Sequence, residues 1–437
     1  MRKTAILLCI IALAMFVSYA AIGCDNQIPT TTSESTTSSP TGSETLAPTT
    51  ETSSEPTATV PAVYDLAALP DIFYAPDFSD VVPTTEFYWS PSADYCLFIG
   101  YVKNEKQQFV AAAYLYDLLR DRLVKLTDGQ ADVNYYLAEP AWSPDETKVI
   151  VPFYEFTAAD LTLQLYDLVK DELKSLPMSG TLPAFSSDGQ QLAYTNDDGA
   201  ISFYNFASGD IQSQDYTIIG YSPIWFSNME KMLYIAPTGN NPSNLEYGWL
   251  SEVWLHDFQA PDVETVVMAE SSYHRIRWLS QDKLVLVESG MDDGFYSAIL
   301  NTGNLSVTDL GENRLTLLKT WDQIVSPVVM DYENGTIRQF DQQMKEINVY
   351  QTSADNIVAA ISLLPGSQLL GLSQVTAENK CYLNIMSPTG AASRKIAFYA
   401  GDLYIITAAD GSRAACFDQE ESRFYILKTK ELYSKIG

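Results

Sequence analysis

The sequence predicts an all-β protein, a propeller of four-stranded blades, and three observations predict it. An aromatic or apolar anchor followed by a short turn-forming segment recurs along the chain. The recurrence has the period of a propeller blade, about 40–45 residues, and not the motif of a helical solenoid. Each anchor is followed by short segments with strand patterning, and no 3.6-residue periodicity is sustained over three turns between residues 80 and 437.

The clearest anchors are Trp89-Ser90-Pro91-Ser92, Trp142-Ser143-Pro144-Asp145, Phe185-Ser186-Ser187-Asp188-Gly189, Trp225-Phe226-Ser227-Asn228 and Trp278-Leu279-Ser280-Gln281-Asp282. Weaker ones stand at Trp321-Asp322, Leu363-Leu364-Pro365-Gly366 and Thr407-Ala408-Ala409-Asp410-Gly411. Their spacings are 53, 43, 40, 53, 43, 42 and 44 residues. Eight anchors give eight blades; seven blades and an irregular closing segment is the alternative.

After the anchor comes an apolar strand, as at Lys148–Phe153, Gln191–Thr195, Met232–Ala236 and Leu284–Val287. A second strand then ends in Asp or Asn: Tyr114–Asp117, Leu165–Asp167, Phe203–Asn205 and Trp254–Asp257. A more polar outer strand follows, as at Arg122–Leu126 and Glu172–Leu176. Apolar inner strands with a polar outer one fit sheets packed face to face around an axis. The recurring Trp is expected to pack between sheets, and Asp-Gly at 188–189, 198–199, 293–294 and 410–411 to serve turns that need positive φ.

These anchors, each followed by an apolar strand and a Leu-Tyr-Asp-like strand, resemble the WD40-like repeats of TolB-type propellers over residues 84–437. The resemblance implies the fold and an extracytoplasmic setting. It implies no reaction, because propellers host binding, scaffolding and catalysis alike.

The N-terminus supplies the address. Arg2 and Lys3 precede an apolar run from Ala5 to Ile22, and the run ends Ala21-Ile22-Gly23-Cys24. This resembles a bacterial lipoprotein signal peptide over residues 1–23, with Cys24 as the lipidation site. An uncleaved transmembrane anchor is the alternative, since about 18 apolar residues just span a bilayer. Residues 24–60 are rich in Thr, Ser and Pro and are expected to be a disordered tether. No Lys or Arg occurs between Lys3 and Lys103. Residues 61–83 are read as an N-terminal clasp over the ring seam, with Tyr64, Phe73, Tyr74 and Phe78 as its aromatics. The last repeat is expected to be complete, with Leu432–Ile436 as its fourth strand, so that closure borrows nothing from the N-terminus.

Composition excludes some functions. The 437 residues carry 26 Lys plus Arg against 55 Asp plus Glu, a net charge of −29, which argues against nucleic acid as a partner. With two histidines, His256 and His274, and no G-x-S-x-G, P-loop or G-x-G-x-x-G, no catalytic residue, metal site or cofactor is assigned. Asp197-Asp198 and Asp292-Asp293 lack the alternating ligand spacing of a calcium loop. His256, inside a blade strand, is read as structural. Cys96 and Cys416 occupy comparable strands of the first and last repeats; buried free thiols are the expected state, a ring-locking disulfide the alternative.

A binding face remains. The longer segments Asp128–Ala138, Pro237–Leu250 and Ser271–Arg275 carry Tyr135, Tyr136, Tyr247, Trp249, Tyr273 and His274, read as ligand-binding residues on loops. The expected protein is thus monomeric, tethered to the extracytoplasmic side of a bacterial cell membrane through acylated Cys24. It acts as a binding or scaffolding module for an envelope protein, peptide or glycan. The alternative is a propeller hydrolase or lyase that acts on extracellular glycans or peptides with channel carboxylates.

Overall fold

A computed structural model describes residues 69–437 apart from 79, 132–134, 156–161, 213–216, 239–249, 262, 292–293, 312–313, 320–324, 332–334, 342, 353–356, 365–367, 376–379, 389–393, 401–402, 409, 419–422 and 437. The signal and tether segments, Cys24, Tyr64, Tyr247, Trp249, Trp321-Asp322, Pro365-Gly366 and Asp292-Asp293 lie outside the described residues.

The chain folds into eight antiparallel sheets in sequence order, an eight-bladed propeller. Blade 1 is Val82–Trp89, Tyr95–Lys103, Phe109–Asp117 and Arg122–Lys125. Blade 4 is Tyr221–Trp225, Lys231–Pro237, Ser251–Asp257 and Thr265–Ser271, and blade 5 is Tyr273–Ser280, Leu284–Met291, Gly294–Asn301 and Val307–Gly311. In blade 2 the first strand is broken into Tyr135–Leu137 and Ala141–Trp142, both paired with Lys148–Glu155.

Eight apolar clusters follow from this arrangement among the described residues, each between two neighbouring blades. Leu97 and Ile99 of blade 1 meet Val149 and Val151 of blade 2, while Phe98 turns the other way toward Phe424 and Ile426 of blade 8. Second and third strands are therefore buried on both faces, which is why they read as continuous apolar runs. Three of the anchor tryptophans add a bond to their packing, whereas Trp142 Nε1 is buried without a partner. Trp89 Nε1 donates to the Ile406 carbonyl at 2.9 Å, Trp225 Nε1 to Ala184 at 3.2 Å and Trp278 Nε1 to Trp225 at 2.9 Å, each reaching the preceding blade.

The turn residues act locally. Ser143 and Ser186 donate to Asp145 and Asp188 at 2.6 Å while accepting from the N–H of Lys148 and Gln191. The Ser143 hydroxyl bond, joined by Thr147, pulls the Asp145 pKa down to about 2 against the effect of burial. The turn ends in left-handed backbone, at φ 67° for both Gly189 and Gly411. Strand-terminal Asp117 accepts from the N–H of Leu119 and Arg120 at 3.1 and 3.0 Å, an Asx turn that Asp167 and Asn205 repeat.

Ring closure differs from the expectation. Blade 8 contains Leu403–Thr407, Arg413–Asp418 and Arg423–Lys428, but its outermost strand is Phe73–Tyr74 from the N-terminal side, paired antiparallel with Arg423–Lys428. The expected fourth strand is instead a helix, Thr429–Ile436, the one helix among the described residues. It buries Leu432 completely in the cluster between blades 7 and 8. Phe78 then lies in the seam between blades 8 and 1, with ring centroids 5.1 Å from Phe98, 5.1 Å from Tyr116 and 5.5 Å from Phe424. Arg413 and Asp94 join the two blades at 2.9 Å.

Cys96, Cys381 and Cys416 are free and buried. Neighbouring residues on a strand point to opposite faces. Ala415, and not Cys416, therefore shares the seam cluster with Cys96, while Cys416 packs beside Cys381 on the far side of blade 8. Burial raises the pKa of Cys96 and Cys416 well above that of an ordinary thiol. His256 is a core residue, its ring 4.8 Å from that of Phe258 and its Nδ1 3.5 Å from Glu264.

Candidate functional site in the central channel

First strands of neighbouring blades touch one another: Thr181–Phe185 meets Tyr221–Trp225, which in turn meets Tyr273–Ser280. They form the inner ring around the axis, and in several blades this inner strand is bulged. In blade 5, Tyr273 pairs with Ser289 but Arg275 pairs with Glu288, so the ladder slips at His274. A bulge re-aims the side chains that follow it. Blade 4 holds this one in place. Tyr221 Oη and Ser251 Oγ donate to the Tyr273 carbonyl at 2.6 and 3.1 Å, and Ser222 Oγ accepts from the Ile276 N–H at 3.1 Å. Ile276 enters the cluster between blades 4 and 5, so Arg275 and Arg277 share the opposite side of the strand.

Arg275 reaches a long way. Its Nη2 is ion-paired with Oε2 of Glu139, a residue in the break of the first strand of blade 2. Blades 2 and 5 are not neighbours, so the pair crosses the space that the ring encloses. Glu288, on the second strand of blade 5, completes the group, 3.8 Å from Arg275 Nη1 and 3.7 Å from Arg277 Nη2. From blade 1, Tyr88 Oη donates to the Leu137 carbonyl at 3.1 Å and Glu86 Oε2 accepts from the Leu137 N–H at 3.0 Å. Tyr88 senses Arg275, Glu139, Glu86 and Tyr154 electrostatically, so groups from blades 1, 2 and 5 converge.

Enclosure sets the protonation states. Burial pushes Glu288 up, but Arg277 and Arg275 outweigh it and hold the carboxyl below its ordinary range. Burial likewise opposes the charge on Arg275, and Glu139 with Glu288 overcomes it. Glu86 has no guanidinium partner, and burial raises its pKa to about 7 against the pull of the Leu137 N–H. Burial also raises Tyr88 and lowers His274. Arg275 Nε, Arg277 Nε, Glu288 Oε2 and Ser272 Oγ are buried without a hydrogen-bond partner, each at an expected cost of about 1–3 kcal/mol. Among the described residues no three His, Cys, Asp or Glu side chains are placed to hold a metal ion.

The raised pKa of Glu86 fixes a stability change with pH. Its value exceeds the unfolded one, so the native state takes up the proton first. The resulting stability is present below about pH 4.5 and is lost as pH rises toward 7. Glu86→Gln keeps an acceptor for Leu137 and removes the charge. It should leave the melting temperature at pH 5 nearly unchanged and stabilise the protein at pH 8, by about 2 kcal/mol after allowance for partial accessibility. Equal melting shifts at both pH values would contradict this assignment.

The residues read as loop aromatics divide. Tyr273 and His274 lie on the inner strand of blade 5 next to the arginines, not on a loop. Tyr135 and Tyr136 lie on the short strand Tyr135–Leu137; Tyr135 stacks on Phe153 at 4.8 Å, and Tyr136 faces Tyr154 at 6.2 Å. The charged cluster itself was missed, although two arginines one residue apart in the apolar strand Tyr273–Ser280 are an anomaly visible in the sequence.

The chain is similar to several solved structures. TolB from Acinetobacter baumannii is 16% identical with a TM-score of 0.38, over 52% of this chain and 53% of that one. The propeller domain of the Trilobed protease from Pyrococcus furiosus is 11% identical with a TM-score of 0.42, over 74% of this chain and 96% of that one. Oligogalacturonate lyase from Vibrio parahaemolyticus is 12% identical with a TM-score of 0.41, over 78% and 98%. The match spans about half the length of the TolB structure. No protein-family model matches the sequence, and neither does any curated protein. At these identities and scores no ligand or activity passes from the neighbours to this chain.

Proposed function

We propose that the protein is a lipid-tethered, extracytoplasmic binding module of a bacterial envelope, with its ligand seated in the central channel. The observation that carries the channel assignment is the group of polar and charged side chains gathered from blades 1, 2 and 5: Tyr88, Glu139, Arg275, Arg277 and Glu288. Burying charges is a poor route to stability, and well-packed apolar residues often do as well or better. Convergent, under-bonded polar groups on a rigid ring suit a ligand. Tyr273 and His274 line the same strand, and Tyr135 and Tyr136 stand at the broken strand that carries Glu139 toward it. Tyr247 and Trp249 belong to the proposal as residues of the segment between the second and third strands of blade 4.

The address rests on Arg2, Lys3, the apolar run and Cys24. Cys24→Ser should move the full chain from the membrane to the soluble fraction, read by fractionation and by intact mass for the missing lipid. Retention in the membrane with an intact N-terminus would favour a transmembrane anchor. For the channel, glycan and peptide arrays probed with the purified protein should give signals that Arg277→Gln removes. Signals indifferent to that change would place the ligand elsewhere.

A second reading, a hydrolase or lyase, is favoured by Glu86. A carboxyl with a pKa of about 7 close to Tyr88 is suited to proton transfer at neutral pH. Mass spectrometry of the array ligands after incubation separates the two. Intact ligand supports binding, and fragments whose formation Glu86→Gln abolishes support catalysis.

A further inference from the structure

We infer that the channel takes the carboxylate of an acidic ligand on Arg275 and Arg277, and that Glu139 occupies that ligand's place when the channel is empty. The inference rests on the channel being the ligand seat and adds the class of ligand.

The two guanidiniums stand on one side of one strand and are not used up by their partners. Glu288 lies 3.7 and 3.8 Å from them, within ion-pair range but beyond a hydrogen bond. Glu288 thus offsets charge without satisfying the donors, and both Nε atoms lack partners. A planar carboxylate is the group that a guanidinium fork binds in two-point fashion.

Glu139 differs from Glu288 in the way a displaceable group should. The side chain of Glu288 is 24% accessible and sits in a continuous strand, whereas that of Glu139 is 47% accessible. Glu139 also lies between Tyr135–Leu137 and Ala141–Trp142, where the inner strand of blade 2 has no ladder, next to Pro140. It can therefore leave Arg275 for water without unpairing a sheet. An incoming carboxylate would exchange one carboxylate for another on the same guanidinium and gain Arg277, whose side chain is 42% accessible. No covalent step is involved.

The test is calorimetric titration of the full-length protein at physiological ionic strength. One arm compares glucuronate with its uncharged methyl ester. The other compares an acetylated dipeptide carrying a free C-terminal carboxylate with its amide. The carboxylate of one arm should bind and its uncharged partner should not, and the arm that responds identifies the source. Glu139→Gln, which removes the internal competitor, should tighten binding about tenfold. Arg277→Gln should weaken it about tenfold or more. Glu172→Gln, the same charge change on the exposed outer strand of blade 2, should do nothing.

Three results overturn the inference: no carboxylate binding even to Glu139→Gln, equal binding of the uncharged partners, or equal tightening by Glu172→Gln. If carboxylates fail while Arg277-dependent array signals persist, the channel remains the ligand seat and the ligand class falls alone. Melting curves of each variant establish that a lost signal is not a lost fold.

Discussion

Phe78→Ala should destabilise the protein by about 3–4 kcal/mol and lower its melting temperature by about 5 °C. The side chain is 6% exposed and touches Phe98 and Tyr116 of blade 1 and Phe424 of blade 8. It sits where first and last blades meet, beside the Arg413–Asp94 pair and the Trp89–Ile406 bond, and a cavity there weakens the closure of the ring. Ile211→Ala, at a 47% exposed position on an outer strand, should stay within about 0.5 kcal/mol of the parent protein. Calorimetric melts of the two variants check the contrast. Similar shifts in both would mean that the seam is not a point of weakness.

Arg275→Met should cost about 3 kcal/mol, because it leaves Glu288 enclosed with Arg277 alone and strips Glu139 of its partner. The sign of the pH effect follows. Without Arg275, Glu288 keeps Arg277 but loses a cation that opposes burial, so its pKa rises from its lowered native position and the variant's native state takes up a proton at a higher pH than the parent's does. The loss should therefore be largest near pH 8 and shrink as the pH falls through the new pKa. Urea melts at pH 5 and pH 8 give the comparison. A loss independent of pH would show that Arg275 matters through its aliphatic stem and not its charge.

The repeat made the fold legible. Its turn residues and strand-terminal Asp are fixed by contacts within one blade, and its inner apolar runs by packing on a neighbouring blade of the same pattern, so about forty residues of sequence hold the information. Closure was not legible, because the strand that completes blade 8 is two residues long and stands more than 300 residues from its partner. Leu432–Ile436 misled for a related reason: over five residues, Leu432, Tyr433 and Ile436 fit a strand and a helix about equally well. The channel group was hidden by distance, with Tyr88, Glu139 and Arg275 meeting only because three separate repeats point toward one axis. Its local mark, two arginines in an inner strand, was present but carried no sign of what they face.

The closing strand also decides where the molecule yields to force. Whatever precedes residue 69 pulls on the domain through Leu69–Tyr74, and that stretch is held by two register pairs, Phe73 with Leu427 and Tyr74 with Ile426, and by the Lys428 N–H on the Ile72 carbonyl at 2.8 Å. A load that swings the leading segment away from the sheet breaks these contacts one after another and never in parallel. Tension thus enters at a short attachment, backed by Ile72 and Phe73 in the cluster between blades 7 and 8, and the first surface it uncovers is the edge of Arg423–Lys428.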